Sequence, residues 1–314
     1  MAYCSTELKM EFEIREIVTV HYFEYLKDFV FSGEAHDFWE FLYVDKGEVQ
    51  IQADRSFYHL KAGDIIFHKP NEFHAIRALG NKAPNLVAVS FRCASESMRF
   101  FESKSCSLNR EERFLISSII AEARQAFSTP LHIPSVEKVE LSSSPPFGAA
   151  QLILSYLQIF LIHVKRNHFE EGAAPIHAIP TEQAAHSFNS SHLERIIQFM
   201  EFHICEHLSI KSICSEFSIS RSTLHSLFHK EKGCGAIDYF NIMKIERSKE
   251  IMRSGTMNFT EIAYFLSYSS LQYFSKQFKQ TTGMSPLEYF HSVKKYSNEV
   301  TNSGKKRTED NRTI

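Results

Sequence analysis

The sequence predicts an α+β chain of more than one domain: an antiparallel β-barrel or sandwich accompanied by helices, followed by an all-α domain. Three observations carry this. Short runs of β-forming residues alternate with turn signals from Phe12 to about Cys93. Apolar residues then recur at helical spacing from Met98 onward. Finally, Ser220-x3-Leu224-x3-Phe228-x4-Gly233 returns as Ser270-x3-Phe274-x3-Phe278-x4-Gly283, an offset of 50 residues at all four positions. With 314 residues the chain can bury two cores, and its 43% hydrophobic and 23% charged content is that of a soluble globular protein.

The strands are expected in order. Phe38 to Val44 leads through the turn Asp45-Lys46-Gly47 to Val49 to Ala53. Phe57 to Leu60 precedes the turn Ala62-Gly63-Asp64, Ile65 to His68 runs on to Pro70-Asn71, and Leu86 to Arg92 closes the series. Side chains of like parity, such as His36, Phe38, Glu40 and Leu42, face one side of such a sheet.

Within this region, His36-x3-Glu40-x6-Gly47 and Gly63-x6-Pro70-x3-His74 resemble the two signature motifs of the cupin barrel. The resemblance implies a barrel whose interior holds a small ligand, and we assign His36, Phe38, Glu40, Leu42 and His74 to that effector site. In metal-dependent cupins the inward face carries three histidines and a glutamate. Here Glu34 stands where the first histidine would be, and the spacing from Pro70 to His74 is one residue short. His36, Glu40 and His74 would suffice as a two-histidine, one-carboxylate triad for a divalent ion. They serve equally as polar lining, and no metal or cofactor is assigned.

Arg110 to Phe127 reads as a helix with Phe114, Leu115, Ile119 and Ala123 on one face. After the serine- and proline-rich SSSPPFG, Ala149 to Lys165 forms a second, with Leu152, Tyr156, Ile159, Phe160 and Val164 in one stripe and Leu154, Leu157 and Leu161 in another. One stripe covers the barrel, and the surplus suits a helix from a second copy. Residues 170–191 combine small and polar residues with two prolines and form the expected linker. The expected domains are therefore 1–169 (barrel 12–95, helices 98–168), the linker 170–191, an all-α domain 192–296 and a disordered polar tail 297–314.

His192 to His203 opens the all-α part with Leu193, Ile196, Ile197 and Met200 inward. Each copy of the repeat is a short helix capped by serine and stopped by glycine, preceded by another short helix: Ile210, Ile213, Cys214 and Phe217 in the first, Ile262, Ala263 and Leu266 in the second. Helix, tight turn, helix is the layout of a helix-turn-helix, whose second helix lies in the DNA major groove. Ala236 to Arg253 is the helix between the units, a rod of about 27 Å that suits reading positions one DNA turn, about 34 Å, apart.

Residues 192–296 resemble the DNA-binding domain of the AraC family of transcription regulators. The second unit carries the signature most fully: Ile262-Ala263, Tyr268, Tyr273 to Lys279, Gly283 and Ser285-Pro286-Leu287-Glu288-Tyr289. Ser267 departs from it, standing where the family has a glycine, so a left-handed turn there would be strained. Helix geometry places Arg221, Ser222, His225, Ser226 and His229 on the outer face of the first recognition helix, with Lys230 beside them. In the second it places Leu271, Gln272, Ser275, Lys276 and Lys279 outside. Gln272 suits an adenine edge, Lys276 a guanine and Leu271 a thymine methyl, whereas Arg221, Lys230 and Lys279 suit phosphates.

The resemblance implies a non-enzymatic, effector-controlled DNA-binding regulator, an activator, whose partners are operator DNA, a small molecule such as a sugar, RNA polymerase and a second copy of the chain. Two other readings compete with it: a metal-dependent cupin enzyme with an accessory DNA-binding tail, and a ligand-independent regulator whose barrel is filled by its own aromatic side chains. Charge is weakly consistent with DNA binding, since residues 190–314 hold 17 Lys and Arg against 13 Asp and Glu while the rest is acidic. The six cysteines form no C-x2-C pair and read as reduced thiols. The first residues show no signal-peptide pattern, so no membrane partner and a cytoplasmic location are expected.

Overall fold

The computed structural model describes residues 3–27, 29–168, 178–179, 192–255 and 257–291. It divides into two compact units at Gln198/Phe199, inside a helix. The expected tail, and all of the expected linker except two residues, lie outside the described residues.

Among the described residues, the first unit holds ten strands in two five-stranded antiparallel sheets. One runs β1 (Ile14–Glu24), β8 (Asn85–Cys93), β3 (Trp39–Lys46), β6 (Asp64–His68), β9 (Ser105–Ser107). The other runs β10 (Ala178–Ile179), β5 (Ser56–Lys61), β4 (Glu48–Ala53), β7 (His74–Leu79), β2 (Val30–Glu34). Alternation along β3 separates two cores. Trp39, Phe41 and Tyr43 join one that includes α1 (Arg110–Ala126) and α2 (Ala149–Asn167), and Leu42 and Val44 join another with Val49, Ile51, Leu60 and Ile66. In the second core Tyr25 stacks on Phe29 at 3.4 Å. Ala178–Ile179, within the expected linker, pair with β5.

Both predicted helices form, but their buried stripes differ from the expected ones. In α1 the buried apolar positions are Leu115, Ile116, Ile119, Ile120, Ala123 and Ala126, while Phe114 is 66% exposed. In α2, Ala149, Ile153, Leu157, Phe160, Leu161 and Val164 are buried, leaving Leu152 and Ile159 exposed. The buried faces follow successive steps of three and four from Ala149, and a turn of roughly 100° per residue carries Leu152 and Ile159 off that face.

The second unit begins inside α3 (His192–Phe202) and contains α4 (Ile210–Glu216), α5 (Arg221–Lys232), α6 (Ala236–Ser254), α7 (Phe259–Phe265) and α8 (Leu271–Thr282). Ser220 and Ser270 cap α5 and α8 through the backbone N–H of Thr223 and Tyr273, and Gly233 and Gly283 end them at φ 72° and 79°. The two turns repeat bond for bond: the N–H of Ile219 donates to Cys214 O, and that of Tyr268 to Ala263 O. Ser218 (φ 51°) and Ser267 (φ 55°) both adopt the left-handed conformation that glycine takes without strain.

Lys244 on α6 joins the turn of the second unit to the loop after α3. Its Nζ donates to the carbonyls of Glu206 and Leu266, 2.6 Å each, above the rings of Phe240 and Tyr268. The cation thus satisfies the carbonyl at the C-terminal cap of α7, where a positive charge is favoured. Burial lowers the ammonium pKa to about 8. Arg247, on the same helix, pairs with Glu201 and Glu250.

Urea unfolding of the full chain checks the weight of these contacts. Ser218→Gly is expected to stabilise the second unit by about 0.5–1 kcal/mol, because the left-handed strain disappears while glycine adds entropy to the unfolded chain. Ser267→Gly should show no such gain, since the Ser267 hydroxyl donates to Cys205 O at 2.5 Å and that bond is lost. Lys244→Met should cost about 1–3 kcal/mol by leaving two carbonyls without their donor.

Candidate functional site

Cross-strand register assembles the polar end of the barrel. Glu40 in β3 stands opposite His68 of β6 on one side and Ser90 of β8 on the other. Across the barrel, Glu34 of β2 stands opposite His74 of β7. His36 lies in the segment leading from β2 to β3, so both sheets contribute to one cluster.

Glu40 is its centre. Its Oε2 accepts from Ser90 Oγ at 2.7 Å and lies 3.9 Å from His36 Nε2, and its Oε1 lies 3.4 Å from His74 Nε2. Glu34 Oε1 approaches the same His74 nitrogen at 3.9 Å. Ser90 is itself within 2.9 Å of Thr19, whose hydroxyl donates to it. Because carbonyl oxygens can only accept, the Nδ1–H of His36 donates to Phe38 O at 3.1 Å and that of His74 to Glu72 O at 3.3 Å. His68 donates from Nδ1 to Glu72 Oε2 at 2.8 Å and stacks on His74 at 4.4 Å.

Burial and neighbours set the charges. Burial opposes ionisation of Glu40, but the hydrogen bond and charge of His74, aided by His36 and Ser90, outweigh it and hold the carboxyl at about 2. Burial likewise works against His74⁺, yet Glu40 raises its pKa. His36 and His68 are both lowered by burial, which prevails over Glu40 and Glu72 respectively. Burial, with the charge of Glu40, raises Glu34. The result is an ionised carboxylate surrounded by imidazoles, a site able to hold hydroxyl groups or a cation.

The structure thus brings His36, Glu40 and His74 together, keeps Phe38 at their edge and turns Leu42 away. Phe38 stacks on His36 at 3.8 Å and lines an adjoining open groove of about 510 Å³ with Arg15, Asp37 and Arg92. Leu42 belongs to the apolar core beyond the cluster. Sequence reasoning left out Glu34, His68, Glu72 and Ser90 as contributors. Glu34 and His36 share strand parity, and His68-x3-Glu72 has a readable spacing, but Ser90 is identifiable through pairing register alone.

In the second unit Leu224 and Phe228 of α5, and Phe274 and Phe278 of α8, are buried. Arg221, Ser222, His225, Ser226, His229 and Lys230 are exposed on α5, and Gln272, Lys276 and Lys279 on α8. Ser275 is half-buried, and Leu271, expected to be outside, packs partly against the core of its own unit. His225 and His229, one turn apart, have ring centroids at 4.1 Å. Lys230 pairs with Glu231 at 3.3 Å, a surface contact that DNA phosphate can displace.

Two family models match the chain: the AraC-like ligand binding domain over residues 16–97 and a helix-turn-helix domain over residues 213–292. The HTH-type transcriptional activator RhaS of Klebsiella pneumoniae (strain 342) is 21% identical over 258 residues, 82% of this chain and 87% of its own length. RhaS of Citrobacter koseri is 22% identical over 265 residues, with the same shares. Among solved structures, a single-residue variant of apo ToxT from Vibrio cholerae strain SCE256 has 15% identity and a TM-score of 0.34, with 89% of this chain and 98% of that one covered. No described helix is long and apolar enough to cross a membrane. With a ligand-binding match in one unit and a helix-turn-helix match in the other, the chain belongs to the AraC family of transcription regulators.

Proposed function

We propose that this regulator is an activator of transcription in the cytoplasm, that it acts as a homodimer in contact with RNA polymerase, and that a small hydroxylated molecule such as a sugar is its effector. The observation that carries the DNA reading is the pair of serine-capped, glycine-terminated helices whose apolar sides are buried and whose polar sides are exposed. Such helices present Gln272 and Lys276 to base edges and Arg221 and Lys279 to phosphates, with Ser222, His225, Ser226 and His229 adding contacts from the first. The name of RhaS, a transcriptional activator, supports the direction of control.

The effector reading rests on His36, Glu40 and His74, which offer a carboxylate and two imidazoles from both sheets at one end of the barrel. A molecule bound there acts by population shift, favouring the arrangement of the dimer that it binds better. The exposed Phe114, Leu152 and Ile159 on α1 and α2 provide apolar surface for the second copy.

Operator selection from random DNA with the full chain, with and without candidate sugars, tests both parts. Once an operator is known, Gln272→Ala with Lys276→Ala should lower the preference for it over random DNA by at least about tenfold, from the worth of a bidentate base contact. Lys279→Ala should instead weaken all DNA alike and flatten the dependence of log affinity on log salt by about one. Unchanged preference in the first variant rejects the base contacts, and equal binding and activation with and without every sugar rejects the sugar effector.

A further inference from the structure

We infer that the polar cluster of the barrel is a binding site for a divalent first-row transition-metal ion, ligated by Glu34, His36, Glu40 and His74. The inference deepens the reading of the barrel interior as the ligand compartment, and rests on it.

Geometry carries it. One ligand atom each from Glu34, His36 and His74 lies within 4.8 Å of the others. Glu40 completes the set, its two oxygens facing His74 Nε2 at 3.4 Å and His36 Nε2 at 3.9 Å. Both histidines commit Nδ1–H to a backbone carbonyl, so the Nε2 atoms are left to point at carboxylates. His36 Nε2 is buried and has no hydrogen-bond partner among the described residues. A lone pair held beside a carboxylate at 3.9 Å is unfavourable until a cation enters.

The support around these residues has the form that metal sites use. Carbonyls fix the ring orientation of both histidines, and Ser90 and Thr19 hold Glu40. The Glu34 side chain is 56% exposed, which gives an ion a path from solvent. Two imidazoles and two carboxylates suit zinc, iron, cobalt or manganese.

The test uses the full chain, without a polyhistidine tag and stripped with a chelator, titrated with Co(II) and followed by its visible absorption. One equivalent should bind, be displaced by Zn(II), and raise the thermal unfolding midpoint. His36→Ala and Glu40→Gln should abolish the absorption signal, with circular dichroism confirming that they fold. Ser90→Ala, which touches no ion, should weaken binding about tenfold. Replacing the exposed His207 by alanine should leave it intact, because that histidine lies in the other unit. A wild-type chain that takes up neither ion overturns the inference, as does full-stoichiometry binding that survives in folded His36→Ala and Glu40→Gln. The same samples assayed on a selected operator keep the two readings apart: a chain that responds to a sugar yet binds no metal loses the metal site and keeps its effector.

Discussion

A carboxylate withdrawn from water has to be compensated where it stands, and Glu40 imposes that constraint on the first unit. Its own strand cannot meet it, because Trp39 and Phe41 on either side face the other way into the helix-covered core. Compensation comes across the sheet from Ser90, across the barrel from His74, and along the chain from His36. Each of these depends on a register: a shift of one residue in the pairing of β3 with β8 would put Val89 or Phe91 opposite Glu40 and expose the serine to the wrong face. The polar cluster and the two apolar cores are therefore one arrangement, fixed together.

The second unit obeys a different constraint, the close crossing of two helices in each helix-turn-helix. Cys214 and Ala263 stand at equivalent places, both small, and the backbone carbonyl of each accepts the bond that closes its turn. The serines that follow carry backbone strain, and the two copies offset it differently. Ser267 donates to Cys205 O, while Ser218 has no such bond among the described residues. Lys244 adds a bond to the second copy alone, at Leu266 O. The unit is a repeat in its backbone and an asymmetric object in its supporting contacts.

That difference explains what the sequence could reveal. The repeat was legible because its determinants are local: serine caps, glycine stops and apolar residues four apart act within one helix, and the expected bounds of α5 and α8 agree with the structure. The central strands were legible for the same reason, through alternation and turn residues. The stripes of α1 and α2 were misjudged because both helices are apolar on several sides, and what covers each side is decided by tertiary packing. Glu34 and Ser90 were missed as partners because their proximity to Glu40 or His74 comes from register between strands far apart in sequence. The two carbonyl partners of Lys244, Glu206 and Leu266, are likewise set by the folded unit and not by any local pattern.

The position of the cluster also bears on how a ligand could be felt. Glu34 belongs to β2, an edge strand paired on one side only, and its register with β7 shifts between Phe31 and Glu34. Gly33 sits at that shift with φ 106°, and Phe73 packs so near that a Cβ would meet its ring at 2.3 Å. Glu40, by contrast, is in β3, the middle strand of its sheet, with partners on both sides. A ligand held by both residues ties an edge strand of one sheet to the central strand of the other, and its binding energy acts through that connection. Effector control requires a difference in affinity between two arrangements, and an edge strand carrying one side of the site is where the smallest movement would produce it.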